Sequence, residues 1–283
     1  MYPASFDYSA PSTVDEAVRL LAEHGDGAKL LAGGHSLLPL MKLRFAQPTH
    51  VVDLRRIPSL RGIRRDGNLL AIGAMTTYAE LAASRELFDT ATAIVDAASQ
   101  VGDPQVRNRG TIGGSIAHAD PAADIPATML ALGASFVAQG QSGRRFIAAG
   151  EFFRDLYTTA LSADELLVEI RVPVSISRAG SAYAKHPHPA TRFALVGVAA
   201  AIELERMSDR VQRARVAVTG LANTPLRAIA VEEALTGQIA DPDHIIAAAE
   251  HLVASAEETG AYKAQLARTC AEAALRKAAE RAQ

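Results

Sequence analysis

Two short glycine strings are the residues of this 283-residue chain whose types and spacing point to chemistry. The first is Ala32-Gly33-Gly34-His35-Ser36 and the second is Thr111-Ile112-Gly113-Gly114-Ser115. Paired glycines let the backbone take positive φ and bring bare N–H groups close to a ligand, while a following serine adds a hydroxyl donor. A diphosphate suits such a donor set, because its charge is met by the backbone itself. Either string alone reads more readily as a turn or a close packing contact. As a pair, each expected to leave a strand, they read as the two sides of a dinucleotide cradle.

Their surroundings are longer and more distinctive. Lys29-Leu30-Leu31 is a short apolar strand running into the first glycines, and a short helix is expected just after Ser36. The second string continues from Arg109-Gly110 through His118-Ala119-Asp120-Pro121-Ala122-Ala123-Asp124-Ile125-Pro126-Ala127. Together with Phe6-Asp7-Tyr8, Ile72-Gly73-Ala74-Met75-Thr76-Thr77, Phe193-Ala194-Leu195-Val196-Gly197-Val198-Ala199 and Asn223-Thr224-Pro225, these segments resemble the FAD-binding medium subunit of the molybdenum hydroxylases. That family includes aerobic carbon monoxide dehydrogenase and the bacterial xanthine, nicotine and caffeine dehydrogenases. The likeness covers nearly the whole chain.

The resemblance implies an α+β protein: a two-subdomain FAD-binding fold of the vanillyl-alcohol-oxidase type, with a C-terminal three-stranded sheet and helical bundle. FAD would lie between the two subdomains. Ala32, Gly33, Gly34, His35 and Ser36, with Thr111, Ile112, Gly113, Gly114 and Ser115, would hold the diphosphate and adjacent flavin through main-chain N–H groups. His35 stands where many relatives have glutamine and carbon monoxide dehydrogenases often have histidine. Asp124 reads either as a helix cap or, by the resemblance, as a flavin contact; a diphosphate would repel it, so ribityl or ribose hydroxyls suit it better. Lys185 matches a lysine that contacts flavin in relatives, where it can stabilise negative charge near N1 and C2=O; as a bare residue it reads as a solvated lysine. Leu167 matches an apolar residue near the cofactor. Phe193 stands where relatives cover one flavin face with Phe or Tyr, and unaided it reads as core. Arg192 replaces the acidic residue usual before that aromatic.

The implied role is electron transfer. FAD would collect electrons from the [2Fe-2S] clusters of a small subunit and pass them, as FADH2, to an external acceptor: quinone, NAD, a cytochrome or oxygen. Substrate, with CO one candidate, would be oxidised at molybdenum on a large molybdopterin subunit, in a heterohexamer holding two copies of each chain. No side chain here is then needed as a catalytic acid, base or nucleophile. The rival readings are an assembly subunit that has lost its flavin, and a serine hydrolase. For the latter, Gly34-His35-Ser36 and Gly113-Gly114-Ser115 both approach a nucleophile elbow and both lack its last glycine.

Composition supports a subunit reading. The single cysteine, Cys270, is expected to be a small core residue and cannot hold an iron–sulfur cluster. Iron–sulfur and molybdenum centres must then sit on partner chains. A hydrophobic content of 49% allows an ample core, and a net charge of −2 gives no reason to expect nucleic acid or a membrane surface as partner. The first residues lack a signal-peptide pattern and no apolar run approaches the ~20 residues of a membrane span, so a cytoplasmic location is expected. His186-x-His188 offers two ligands in a loop, too few for a metal site.

The elements that must position the strings follow from periodicity. Thr13-x-x-Glu16 reads as a capping box opening a helix with Val14, Ala17, Val18 and Leu21 on one face. Val51-Val52-Asp53-Leu54 closes a small βαβ-like unit, ending a first unit at 1–55. Ile63 to Ile72 reads as a hairpin about Asp66-Gly67, Thr77-x-x-Glu80 opens a helix, and Ala91 to Ser99 is another. Leu166, Val168, Ile170 and Val172 alternate as one buried face of a strand, closing a second unit at 56–175. Pro173 to Ser181 reads as a linker into a third unit, 176–283. There, Val196–Glu205 and Val211–Gly220 flank a turn, and helices follow near Ile229–Thr236, Asp243–Ser255 and Ala261–Arg281.

Overall fold

The computed structural model describes residues 2–174, 178–256 and 260–283. Along the chain, β1 (Asp7–Ser9), α1 (Val14–His24), β2 (Ala28–Leu31), α2 (Leu37–Lys42) and β3 (His50–Asp53) come first, and their strands form a parallel sheet in the order β1-β3-β2. In a parallel sheet the loops that leave the carboxyl ends of the strands share one edge, and the first glycine string leaves β2 there. Thr13 caps α1 by accepting from the Glu16 N–H at 3.2 Å, and Val14, Ala17, Val18 and Leu21 are buried as the spacing requires. The expected box is only half made. Glu16 reaches past Thr13 to the Ser12 N–H, at 2.9 Å.

The second group is β4 (Ile63–Asp66), β5 (Leu69–Gly73), α3 (Tyr78–Ala82), α4 (Arg85–Thr90), α5 (Thr92–Gln100), α6 (Pro104–Arg107), α7 (Ile112–His118), α8 (Asp124–Ala131), β6 (Ser135–Gly140), β7 (Gly143–Ala148), α9 (Ala149–Phe152), β8 (Phe153–Asp155), β9 (Thr158–Thr159) and β10 (Leu166–Pro173). Five strands pair antiparallel in the order β4-β5-β10-β6-β7. The Asp66-Gly67 hairpin is present, with Gly67 at φ 60°. Glu80 completes a true capping box on Thr77.

The single buried face expected for β10 is split, with Leu166 and Val168 on one side and Ile170 and Val172 on the other, for a clear reason. This strand lies mid-sheet between two apolar clusters, so both of its faces are covered. Leu166 and Val168 join the cluster made by α1, while Leu167, Ile170 and Val172 join the helices on the opposite face. A register shift against β6 between Leu167 and Glu169 reverses the alternation, so that Ile170 and Val172 fall on the side of Leu167 and not on that of Leu166 and Val168.

The third group is β11 (Ala179–Pro187), β12 (Ala194–Leu204), β13 (Val211–Thr219), β14 (Leu226–Arg227), α10 (Ile229–Leu235), α11 (Pro242–Ala256) and α12 (Ala261–Ala282). Three long antiparallel strands carry the sheet and the two-residue β14 extends it at one edge. The three helices bury its face in a cluster rich in alanine, which lets α12 lie close to the strands. Cys270 is in that cluster, 6% exposed, and burial pushes its thiol up to about 11. Of the expected linker, Pro173 ends β10 and Ala179 to Ser181 begin β11; the 175/176 boundary lies outside the described residues. Among the described residues no helix is long and apolar enough to cross a membrane.

Candidate functional site

The two glycine strings meet. A Cβ added at Gly33 would lie 2.7 Å from the Cα of Gly110 and closer still to the Arg109 carbonyl oxygen, so only glycine allows this approach. On the other side of the seam, a Cβ at Gly114 would lie 3.5 Å from the Ala32 Cβ. Gly34 holds φ at 82°, the positive value expected of a turning glycine. The N–H groups of Gly33, Gly34, His35 and Ser36 donate to no protein acceptor among the described residues. Nor does the Ser36 hydroxyl cap α2. The first string is therefore a run of uncommitted donors beside a tight seam.

The second string is built differently from expectation. It does not leave a strand: Thr111 is the N-cap of α7, and Gly113 and Gly114 are helical residues of its first turn. Its N–H groups are committed within the protein. Ile112 donates to Thr76 O at 3.0 Å, Gly113 to Ala74 O at 2.8 Å, Gly114 to Thr111 Oγ1 at 3.2 Å and Ser115 to Thr111 O at 3.0 Å. These amides do not supply the donors expected of them. The glycines serve close packing, since a Cβ at Gly113 would lie 2.7 Å from Ala74 O and 2.8 Å from its Cα. Helix propensity, which disfavours glycine, yields to that contact. The Ser115 hydroxyl hydrogen-bonds Tyr78, whose phenol is pushed up to about 12 by burial.

Asp124 opens α8 but is not its cap, a position held by Ala123. Its carboxylate is buried, 5% exposed, and accepts from the Tyr183 hydroxyl at 2.7 Å and from Lys185 Nζ at 3.1 Å. Tyr183 and Lys185 alternate along β11, so both side chains face the same way. Gly197 on β12 makes the room, since an added Cβ there would land on the Tyr183 hydroxyl. Burial raises the Asp124 pKa, with Lys185 and then Tyr183 opposing the shift, and the Tyr183 phenol is driven well above its ordinary value by burial and then by Asp124. The Lys185 side chain is only 3% exposed, so the solvated reading of this lysine does not hold.

The C-terminal sheet delivers this carboxylate. Thr219 Oγ1 donates to Pro121 O at 2.7 Å and to Ala123 O at 3.0 Å, Gly220 N–H donates to Pro121 O, and Ala194 N–H donates to Ala122 O. Asp120 tightens the same loop by accepting from the Ala122 N–H. A depression of about 430 Å³ opens beside this loop, lined in part by Pro121, His188, Thr191, Phe193 and Lys263. Phe193 is 46% exposed at its rim, so it is not a core residue. His188 turns its Nδ1 inward to accept from the Ala190 and Thr191 N–H groups at 3.3 Å, a loop-closing role.

Leu167 stands apart, buried in the core between α7 and its own sheet. Neither Ser36 nor Ser115 bonds a histidine or carboxylate among the described residues, which leaves the hydrolase reading without a base. Tyr183 and Gly197 were missed by the sequence reading, although the i, i+2 spacing of Tyr183 and Lys185 would have placed both on one strand face.

Sequence comparison decides the family. Residues 4–175 match the family model described as FAD binding domain in molybdopterin dehydrogenase, and 181–280 match the CO dehydrogenase flavoprotein C-terminal domain. This chain belongs to the FAD-binding medium subunits of the molybdenum hydroxylases. The carbon monoxide dehydrogenase medium chain of Hydrogenophaga pseudoflava is 45% identical over 257 residues, 91% of this chain and 89% of that one. A 6-hydroxypseudooxynicotine dehydrogenase complex subunit alpha from Paenarthrobacter nicotinovorans is 38% identical over 288 residues, covering 100% of this chain and 97% of the relative. The solved carbon monoxide dehydrogenase from Hydrogenophaga pseudoflava superposes with a TM-score of 0.93 at 44% identity, over 99% of both chains. The cofactor of this subunit is FAD, and the enzyme it serves is a multi-subunit molybdenum-dependent oxidoreductase. The residues present fit that cofactor: the seam closed by Gly33 stands next to a row of free N–H donors.

Proposed function

We propose that this chain is the electron-transfer subunit of its complex, taking electrons from the [2Fe-2S] clusters of a small subunit and delivering them to an external acceptor. Substrate is oxidised at molybdenum on a large subunit, with CO one candidate, and the assembly is a heterohexamer with two copies of each chain. The three units run 1–55, 56–175 and 176–283. The observation that carries this reading is the run of uncommitted N–H groups over Gly33–Ser36, set against a family match that spans the chain. Bound flavin supplies the means of joining one-electron clusters to two-electron acceptors.

The chain's own residues then divide the work. Gly33, Gly34, His35 and Ser36 supply donors to a diphosphate, with Ala32 closing the seam. Thr111, Ile112, Gly113, Gly114 and Ser115 form the opposing wall, which Leu167 backs from the core. Asp124 and Lys185 form a buried support beneath the C-terminal edge of the site, and Phe193 offers an aromatic face to the isoalloxazine. Two relatives named for different substrates, carbon monoxide and 6-hydroxypseudooxynicotine, fit a flavin chain that is not the seat of substrate choice.

The test is a visible absorption spectrum of the purified protein after FAD addition and desalting, alone and co-expressed with its large and small partners. Retained FAD in either preparation supports the reading. Absence of flavin in both would overturn it in favour of an assembly subunit.

A further inference from the structure

The β11–β12 hairpin ends in a loop whose backbone is held in an unfavourable shape. Arg192 sits at φ 61°, in the left-handed region that side chains rarely adopt. Its carbonyl oxygen accepts a hydrogen bond from Lys185 Nζ at 3.0 Å. The same Nζ is anchored on Asp124, a carboxylate fixed in turn by Tyr183. Next along the chain comes Phe193, its carbonyl accepting from the His188 N–H at 2.7 Å and its ring on the rim of the depression. The Arg192 N–H also returns to His188 O, at 2.9 Å.

We propose that Lys185 is a positioning residue, tying Arg192 into its left-handed conformation so that Phe193 stands over the flavin site. The argument rests on the function proposed above for Phe193, and it gives Lys185 a role other than direct flavin contact. Nζ has three protons, and two of its acceptors are already inside the protein. A lysine that is 3% exposed and bound to both a carboxylate and a carbonyl is built as a strut. Without it the Arg192 carbonyl has no other donor among the described residues, the His188 pair alone is left to hold a non-glycine residue at positive φ, and the loop loosens with Phe193 on it.

The chain contains no tryptophan, so Phe193→Trp installs a single indole at the position in question, excited to the red of the six tyrosines. Acrylamide quenching of that reporter is measured without FAD in the Phe193→Trp parent, in Lys185→Met, and in Lys185→Met combined with Arg192→Gly. We expect at least a twofold rise in the quenching constant on losing Lys185, and a return of at least half of that rise when glycine removes the conformational preference at 192. Rescue by a backbone-permissive residue is what a general loss of folding would not give. Should the methionine variant aggregate, Lys185→Gln retains a donor and is expected to lie between parent and methionine. Quenching equal to the parent in the Lys185 variants, or a rise that Arg192→Gly leaves untouched, overturns the proposal. FAD retention by the wild-type protein is scored separately, so failure of the flavin reading and failure of the strut are read from different signals.

Discussion

Replacing Gly33 by alanine adds one methyl group at the seam between the two strings, where the structure has no space for it. The new carbon would lie 2.7 Å from Gly110 Cα, with the Arg109 carbonyl oxygen nearer still. Non-bonded carbons rest at roughly 3.5–4.0 Å, so the strings must part by about 1 Å. Both obstacles are backbone and cannot rotate away. Gly110 is buried and fixed at both ends, its N–H donating to Val106 O at 2.7 Å and its carbonyl accepting from Tyr78 N–H at 3.0 Å. Relief therefore falls on the first string, and it displaces the free donors of Gly34 to Ser36.

Overpacking of this kind costs about 1–3 kcal/mol. If the flavin-competent conformation bears it, FAD affinity falls roughly 5- to 150-fold; if the fold bears it, unfolding free energy drops by the same amount. The assay is a FAD titration followed by flavin absorbance, paired with urea unfolding, on wild type and Gly33→Ala. The two losses together should reach at least about 1 kcal/mol. Gly150→Ala is the control, because a Cβ there meets nothing within 4 Å. Wild-type affinity and a wild-type urea midpoint in Gly33→Ala would refute the claim that the cradle depends on this contact.

Tyr183→Phe deletes a buried donor to Asp124 and should destabilise the protein by about 1.5–3 kcal/mol in urea unfolding, the range for hydrogen bonds to a charged group. Because burial raises the Asp124 pKa, the folded state holds that proton more tightly than the unfolded chain. Its contribution to stability is fullest below the ordinary carboxylate range and falls as pH rises through the raised value; the Tm difference between wild type and Asp124→Asn should decline across that window. Asp96 on α5 behaves oppositely. Burial alone would raise its pKa, but Arg281, the Tyr183 N–H and Lys277 more than offset that, so its contribution is present above the ordinary range and lost as pH falls through the lowered value. Asp96→Asn should therefore flatten the acid limb of a Tm-against-pH curve. Cys270, with its thiol raised to about 11, should resist a thiol reagent at pH 8 in the native protein and react once urea unfolds it; rapid native labelling would mean that α12 does not seal against β12.

Elements with local signals were legible in the sequence. Asp66-Gly67 announces its hairpin, Thr77-x-x-Glu80 its helix, and the three C-terminal helices their limits to within a residue or two. Positions decided by tertiary contact were not. Gly113 and Gly114 read as a turn because glycine disfavours helices, yet the nearness of Ala74 makes glycine the residue that fits in α7. Leu166, Val168, Ile170 and Val172 read as one face because strands alternate, but β10 has a core on each side and a register shift divides the four between them. Glycine type singled out both strings and could not tell a donor string from a packing string, since both uses need the same missing Cβ.

That distinction changes what the C-terminal sheet is for. If both strings had donated, the site would be complete within the first two groups of elements, and the last would be an appendage. With the amides of 112–115 committed, the proposed polar contacts away from the first string fall to the Asp124–Lys185–Tyr183 network, and two of its three members lie on β11. The Asp124 loop is itself pinned from β12 and β13 by Ala194, Thr219 and Gly220. Placement of Asp124 is thus a property of strands that begin more than fifty residues later in the chain. It follows that Thr219→Val, far from either glycine string in sequence, should loosen the Pro121–Asp124 loop and lower FAD retention while leaving the parallel sheet of β1, β2 and β3 intact. Hydrogen exchange would read both effects in one experiment: faster exchange at Ala122 and Ala194, no change at Val51 and Val52. Unaltered exchange at Ala122 and Ala194 would return the C-terminal sheet to the status of an appendage.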